Sequence, residues 1–266
     1  MENHLIFMLN LHRMIVKTFI GLCAAICLLA SCKKNSDSNA GAVGNNGNVV
    51  NKLKYYVEED HLSGNNQTDS FSFVYNGNAL MNMTGTNLKF VYSYPAPNVV
   101  TFDMYENGAF SIHEIAYLKG SYVDSAFQYN SSLDSTTQKY LYKGNLLISE
   151  TDYDYSAAGG AVPFRRDTYT YDNNGNMIKD VEDNGVGGIN TIKTYTYTDK
   201  LLQVSTSPVY VPLFSKNLPA TLKVTDGAGN VYGTVTYSYV FDSSGRLTKE
   251  TDTEGNGDYV VKTYGY

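Results

Sequence analysis

The chain has 266 residues, 20 of them basic and 26 acidic, and its net charge is −6 with histidine taken as neutral. A mildly acidic balance without blocks of like charge argues against nucleic acid or an anionic membrane surface as a partner. Residues 51–266 are enough for one large domain with a core of its own.

The first 31 residues have the pattern of a signal peptide. Arg13 and Lys17 stand near the start of an apolar run at 19–30. That run is shorter than the about 20 residues of a membrane-spanning helix and has the length of a signal-peptide core. It ends in Leu-Ala-Ser-Cys at 29–32, which resembles the lipobox of bacterial lipoproteins. In that family the signal is cleaved before the cysteine, so the resemblance implies a lipid anchor at Cys32. The alternative is an ordinary secretory signal with a chance cysteine.

Residues 32–50 are predicted to form a flexible tether, because the segment is rich in Asn, Gly and Ser and has little to bury. Cys23 and Cys27 lie inside the predicted signal and leave with it. The remaining domain then has no thiol for a disulfide framework or a cysteine-based metal site. Met1 and Met14 are alternative starts, the second giving a shorter positively charged region.

The residue after the predicted anchor indicates a location. Lys33 follows Cys32 with no acidic run, which resembles the outer-membrane address of Gram-negative lipoproteins. The acidic signal that sends Bacteroidetes lipoproteins to the cell surface is not evident. We therefore expect a lipid-anchored protein of the outer membrane, with the periplasmic face favoured over the cell surface.

Residues 51–266 are predicted to be all β. All 24 tyrosines lie after residue 54 and there is no tryptophan. Many tyrosines alternate with Thr or Ser, as at 169–171 and 195–197, and this period of two with aromatic and β-branched residues is typical of strands. The best helix candidate, at 111–118, is short and could equally be a strand.

Two kinds of turn are predicted between these strands. The Asp-x-x-Gly segments at 172–175 and 242–245 favour type I turns, in which Asp accepts backbone hydrogen bonds and Gly is left-handed. The Asn-Gly pairs at 184–185 and 256–257 favour further hairpin turns. The predicted turn residues are Asp172, Gly175, Asn184, Gly185, Asp242, Gly245, Asn256 and Gly257. Strand, turn, strand, turn repeats into an antiparallel meander, expected as an open curved sheet or a partial barrel.

The repeating segments resemble a known family. Tyr-x-Tyr-Asp-x-x-Gly-Asn at 169–176 is similar to the YD repeats of RHS-type proteins. A lipobox followed by such degenerate units is similar to the YD-repeat lipoproteins of Bacteroidetes. The resemblance is clearest at 169–197 and 239–266 and poor at 95–135. It implies a β-repeat fold and says little about an activity.

Catalytic and metal-binding patterns are mostly missing from the sequence. His113-Glu114 begins like a zinc-protease motif, but the second histidine is replaced by Tyr117. Asp180-x-Glu182 before Asn-Gly, and its counterpart at 252–257, faintly resemble calcium loops, yet the acid that an EF-hand needs at position twelve is Thr in both. The sequence predicts no metal, no cofactor and no enzyme, although a carboxylate pair for glycoside hydrolysis remains open.

The tyrosine faces allow two interpretations. The rings can form the core or cross-strand ladders, or they can form a binding surface. The tyrosines of the second interpretation are Tyr169, Tyr171, Tyr195, Tyr197, Tyr237, Tyr239, Tyr264 and Tyr266. The favoured function is a non-enzymatic scaffold or interaction role in the envelope, with the membrane reached through the lipid anchor and an envelope protein or glycan as partner. The alternatives are a glycan- or lipid-binding module and an envelope hydrolase.

Overall fold

A computed structural model describes residues 52–63, 65–77, 79–120, 122–132, 134–156, 160–202 and 215–266. The predicted signal and the whole of the predicted tether, including Cys32, lie outside these residues. The described residues form sixteen strands. They are β1 (Tyr55–Leu62), β2 (Asn65–Asn76), β3 (Ala79–Thr84), β4 (Leu88–Ala96), β5 (Val99–Glu106), β6 (Ala109–Lys119), β7 (Tyr122–Asn130), β8 (Ser135–Lys143), β9 (Leu146–Ser156), β10 (Gly160–Tyr171), β11 (Met177–Asp183), β12 (Ile189–Leu201), β13 (Asn217–Thr225), β14 (Val231–Phe241), β15 (Leu247–Glu254) and β16 (Tyr259–Gly265).

Each strand pairs antiparallel with the strands before and after it, so the predicted all-β meander is confirmed. The expectation of an open sheet or partial barrel is wrong, because β1 pairs with β16 and closes a sixteen-stranded barrel. This seam runs in unbroken register from Tyr55 opposite Gly265 to His61 opposite Tyr259. Closure removes both sheet edges, whose unpaired backbone groups would otherwise be exposed. The helix candidate at 111–118 is part of β6.

In an antiparallel meander all odd-numbered strands begin at one end of the barrel, here called the base, and finish at the other, the rim. The first residues of β3, β9, β11, β13 and β15 supply buried apolar side chains at the base. These are Leu80, Leu147, Met177, Leu218 and Leu247. The largest apolar cluster continues up β2–β5 with Phe73, Met83, Phe90 and Phe102. Burial of these side chains inside the barrel is the main stabilising term of the fold.

Strand alternation gives the wall an inner and an outer face. In β14, Val235, Tyr237 and Tyr239 are partly buried, whereas the intervening Thr236 and Ser238 are exposed. The rings therefore face inward and the hydroxyls outward. Among the residues that the structure describes, no helix is long and apolar enough to cross a membrane.

Candidate functional site

The Tyr-x-Tyr pairs form two tiers on the inner face. The tier nearer the base is held by one repeated contact, in which each phenol donates to a main-chain carbonyl at the start of the preceding strand. Tyr171 donates to Leu147 O and Tyr266 to Leu247 O, both at 2.7 Å. Tyr197 and Tyr239 make the same bond to Met177 and Pro219. These four phenols are used to hold strand ends together.

The upper tier consists of Tyr169, Tyr195, Tyr237 and Tyr264, two residues further from the base. Tyr169 and Tyr264 are each 7% exposed. Their hydroxyls lie 3.4 Å from Glu150 Oε2 and 3.1 Å from Glu250 Oε2. Burial, with the nearby carboxylates, raises the pKa of both phenols well above its usual range. The structure thus places Tyr169 and Tyr264 against acidic side chains.

Five acids and two bases share the inner face of β9–β12, and we call them the β9–β12 cluster. Its members are Glu150, Asp152, Arg165, Asp167, Asp180, Glu182 and Lys193. Register brings them together, since Glu150 stands opposite Asp167, and Asp167 opposite Glu182. The acids therefore outnumber the bases on this part of the wall.

The two bases of the β9–β12 cluster contact four of its five acids, and Arg165 Nη1 lies 3.7 Å from Asp152 Oδ2. Arg165 Nη2 lies 2.8 Å from Asp167 Oδ2, and Arg165 Nε lies 3.5 Å from Glu182 Oε2. Lys193 Nζ lies 2.9 Å from Asp180 Oδ2. One oxygen each of Glu150, Asp167 and Asp180 has no hydrogen-bond partner among the described residues.

Burial changes the ionisation of this cluster. Desolvation raises the pKa of Asp167 to about 7, although Arg165 acts in the opposite direction. It raises the pKa of Asp152 to about 6 in the same way. The pKa of Glu150 is also raised, first by burial and then by repulsion from Asp152 and Asp167. The cluster therefore holds protons near neutral pH that exposed carboxyls would have lost.

A second group, the seam cluster, lies where the barrel closes and consists of Glu58, Glu250, Asp252 and Lys262. Lys262 Nζ lies 2.9 Å from Glu250 Oε1 and 2.6 Å from Asp252 Oδ2. Burial, with repulsion from Glu250, raises the pKa of Asp252 to about 7 despite Lys262. Burial opposes ionisation of Glu250 too, but Lys262 lowers its pKa. One resident cation thus stands among three carboxylates.

The structure places the predicted turn residues in hairpins between strands. Asp172 Oδ1 accepts from the backbone N–H of Asn174 at 2.9 Å and of Asn176 at 2.8 Å, and Gly175 has a φ of 85°. Asp242 repeats these bonds, with Gly245 at 77°. The Asn184-Gly185 and Asn256-Gly257 pairs lie in the β11–β12 and β15–β16 connections, with φ of 79° at Gly185 and 93° at Gly257. A further turn of the first kind, at Asp226, has the same Asp-x-x-Gly signal but was missed.

The sequence reasoning also missed both charged clusters. Their signal was present, because Asp167-x-Tyr169 and Lys193-x-Tyr195 have the spacing that puts side chains on one face of a strand. Asp180 and Glu182, read above as a faint calcium loop, belong to β11. His113 faces outward from β6, with its Nδ1 2.6 Å from Asp103 Oδ1.

Comparison with protein-family models found no matching family, and comparison with curated proteins found no similar sequence. Solved structures do match. A porin-like protein from Bacteroides uniformis is 12% identical, with a TM-score of 0.57, over 81% of this chain and 98% of that one. A porin-like protein from Bacteroides vulgatus is 10% identical, with a TM-score of 0.56, over 80% and 98%. At these identities the likeness establishes a shared barrel fold, which is compatible with a protein of the outer membrane.

Proposed function

We propose that the chain is a non-enzymatic, lipid-anchored envelope protein whose barrel stands in water beside the outer membrane and serves as an interaction module. The lipid is carried by Cys32, and the periplasmic face is favoured because Lys33 follows without an acidic run. The observation that carries this proposal is the polarity of two outward-facing rows of residues on β11–β15. Fold likeness to porin-like proteins supports an envelope location.

Two outward rows at mid-height illustrate this polarity. One row crosses four strands as Lys179, Thr194, Lys223 and Thr234. The next row consists of Thr196, Thr221, Thr236 and Thr253. A transmembrane barrel needs an outward apolar band about 25 Å tall, and a lysine at the bilayer midplane costs about 2–4 kcal/mol. These rows favour contact with water.

One outward stripe of the wall is aromatic. On β5–β7, Tyr105, Phe110, Phe127 and Tyr129 form a chain of ring contacts with centroids 6.2 Å apart. The stripe covers three strands of sixteen, so it does not make the continuous belt that lipid would require. Its rings support an interaction role for the outer surface.

Fractionation tests the proposal. In one version of the chain, residues 1–32 are replaced by an export signal that is cleaved without lipidation. We expect the natural chain in the membrane fraction and the altered chain in the aqueous fraction after lysis without detergent. If the altered chain stays in the membrane and needs detergent for release, the barrel itself is embedded and the proposal is wrong. Protease treatment of intact and lysed cells assigns the membrane face.

The alternatives have less support. A lipid-binding interior needs free apolar space, whereas the base carries packed side chains and phenols bonded to carbonyls. A hydrolase needs a carboxylate pair that a polymer can reach, whereas Glu150 and Asp167 are 4% and 2% exposed. A substrate screen with the purified chain tests the non-enzymatic part, since hydrolysis lost in Asp167→Asn but retained in the outward-facing Glu59→Gln would contradict it.

A further inference from the structure

The two ends of the barrel carry opposite charge. Each end is defined here as its connections together with the two nearest residues of every strand. Within the described ranges, the base has seven basic side chains against the acids Asp172 and Asp242. The seven are Lys52, Lys54, Lys119, Lys143, Lys200, Lys216 and Arg246. The rim, in the same ranges, has one basic side chain, Lys89, and seven acidic ones. These are Glu106, Asp134, Glu182, Asp183, Asp226, Glu254 and Asp258.

The positive charge at the base is accessible to a partner. All seven basic side chains are exposed. Arg246 is paired with Asp242 at 2.8 Å, whereas the six lysines make no ion pair with another described residue. The next residue of each strand adds two basic and two acidic side chains, which leaves the excess of positive charge unchanged. These are Lys179, Lys249, Asp124 and Asp199.

A ring of exposed apolar side chains surrounds the same end. Each lies within three residues of the base end of its strand, which is about 10 Å along the strand. Their exposed fractions run from 37% to 59%. They are Tyr55, Val74, Tyr117, Leu141, Ile178 and Val240. Apolar faces that lie on a membrane are buried to a depth of about 5–10 Å. The ring therefore has the height for a shallow contact with lipid.

The rim also exposes apolar side chains, among them Phe110, Val186 and Val231. Charge is what separates the two ends, because an anionic lipid surface attracts lysines and repels carboxylates. The attraction acts over about 10 Å at 0.1 M salt. Only the end that faces the surface is affected, so an anionic surface favours the base over the rim.

The predicted anchor joins the barrel at the base. Lys52 and Lys54 come directly before β1, which begins at that end. The segment between Cys32 and Lys52 is nineteen residues long. Fully extended, it would span at most about 68 Å. The base can therefore rest on the surface that holds the lipid, and the chain need not pass along the wall.

We propose that the base of the barrel docks on an anionic phospholipid surface. The lysines lie near the headgroup phosphates, and the apolar ring lies at the boundary between headgroups and acyl chains. The rim points away from the membrane. This inference rests on the proposed lipid anchor, and it adds the surface that the barrel contacts and the orientation of the barrel. The whole-chain charge argued against such a surface, but it averages over two ends of opposite sign.

Fluorescence quenching tests the orientation. The natural, lipidated chain is reconstituted in vesicles of phosphatidylethanolamine and phosphatidylglycerol with spin-labelled headgroups. A fluorophore is attached at Val240→Cys near the base or at Val231→Cys near the rim. These valines lie on β14 and are 54% and 53% exposed. We expect quenching at position 240 to be roughly threefold or more stronger than at 231, because only the base reaches the headgroups.

Lipid charge and two pairs of lysines test the cause of docking. Vesicles of neutral phosphatidylcholine should remove the difference between the two labels. Lys119→Glu together with Lys143→Glu should lower the quenching at position 240 by roughly half or more. The matched pair, Lys89→Glu with Lys223→Glu, reverses two exposed charges at the rim and on the outer wall. It should leave the quenching unchanged.

Four results would overturn the docked base. They are equal quenching of the two labels, stronger quenching at the rim, no effect of lipid charge, or equal effects of the two lysine pairs. A third label at the mid-height Thr196→Cys separates this inference from the proposed function. Strong quenching there would mean that the wall is embedded in lipid, and then the proposed function itself is wrong. Circular dichroism establishes that each variant is folded, and Leu141→Cys replaces Val240→Cys if that variant is not.

Discussion

At the scale of single residues, the turn aspartates show what local sequence can specify. The Asp-x-x-Gly turn is stabilised by groups no more than four residues apart. The backbone N–H groups of Asn174 and Asn176, for example, donate to Asp172 Oδ1. Hydrogen bonds from Asn176 lower the pKa of Asp172, although desolvation opposes them. The pKa of Asp167 is shifted in the opposite direction, because the pairing of β10 with its neighbouring strands buries it among other charged side chains. The sequence therefore predicted the turn role of Asp172 but not the buried position of Asp167 in a charged cluster.

The Asp167 shift predicts a pH dependence of stability. An unfolded Asp titrates near pH 4, whereas Asp167 in the folded chain has a pKa of about 7. Between these values the folded chain binds more protons than the unfolded chain, so stability falls as pH rises from about 4 to 7. We expect Asp167→Asn to lose less stability over this window than the natural chain.

Urea denaturation at pH 4.5 and pH 7 measures this difference as a change in the free energy of unfolding. The exposed Asp154→Asn serves as a control and should follow the natural chain. An unchanged pH dependence in Asp167→Asn would show that the carboxyl of Asp167 is ionised across the whole window.

At the scale of elements, strands and hairpins were accessible to sequence because their periods are local. Alternation at 195–197 shows that Tyr195 and Tyr197 share a face. It cannot show that this face is the interior, which depends on how the sheet curls. The same limit explains why the charged clusters were missed: Asp180 and Lys193 become neighbours only when β11 and β12 pair.

The hairpin between β11 and β12 also packs on its neighbour. A Cβ on Gly185 would lie 2.6 Å from the carbonyl carbon and oxygen of Pro163, where β10 has a register shift. Gly187 has a φ of 99° but nothing within 4 Å. We expect Gly185→Ala to lower the free energy of unfolding by about 1–3 kcal/mol more than Gly187→Ala. Only the new Cβ at position 185 would push the β11–β12 hairpin away from the backbone of Pro163. Chemical denaturation measures the free energy of unfolding of both variants. Equal losses would mean that the cost comes only from the left-handed backbone conformation, which both positions share.

At the scale of the whole molecule, sequence could not choose between an open sheet and a closed barrel. Closure pairs β1 with β16, which lie at opposite ends of the described segment. No local sequence pattern in Tyr55–Leu62 predicts that β16 is its partner. Strand number and stagger decide closure together, and both are properties of the complete sheet.

Deletion of residues 259–266 tests the role of closure. Removing β16 leaves β1 and β15 with unpaired edges, and exposed edges promote association. We expect the shortened chain to form dimers or larger species in size-exclusion chromatography with light scattering. Tyr259→Ala, which removes an outward ring stacked on His61 at 4.4 Å but keeps the backbone pairing, should not change the elution. A monomeric shortened chain would contradict the importance of the seam.

The phenol-to-carbonyl bonds at the base have a consequence for how the chain acquires its structure. Each one joins a strand to the strand made just before it, from Tyr94 to Leu80 on β3 through Tyr266 to Leu247 on β15. A hairpin can therefore be completed as soon as its second strand has emerged, with little loop entropy to overcome. Assembly can follow the order of synthesis, and only the final joining of β16 to β1 has to wait for the last residues.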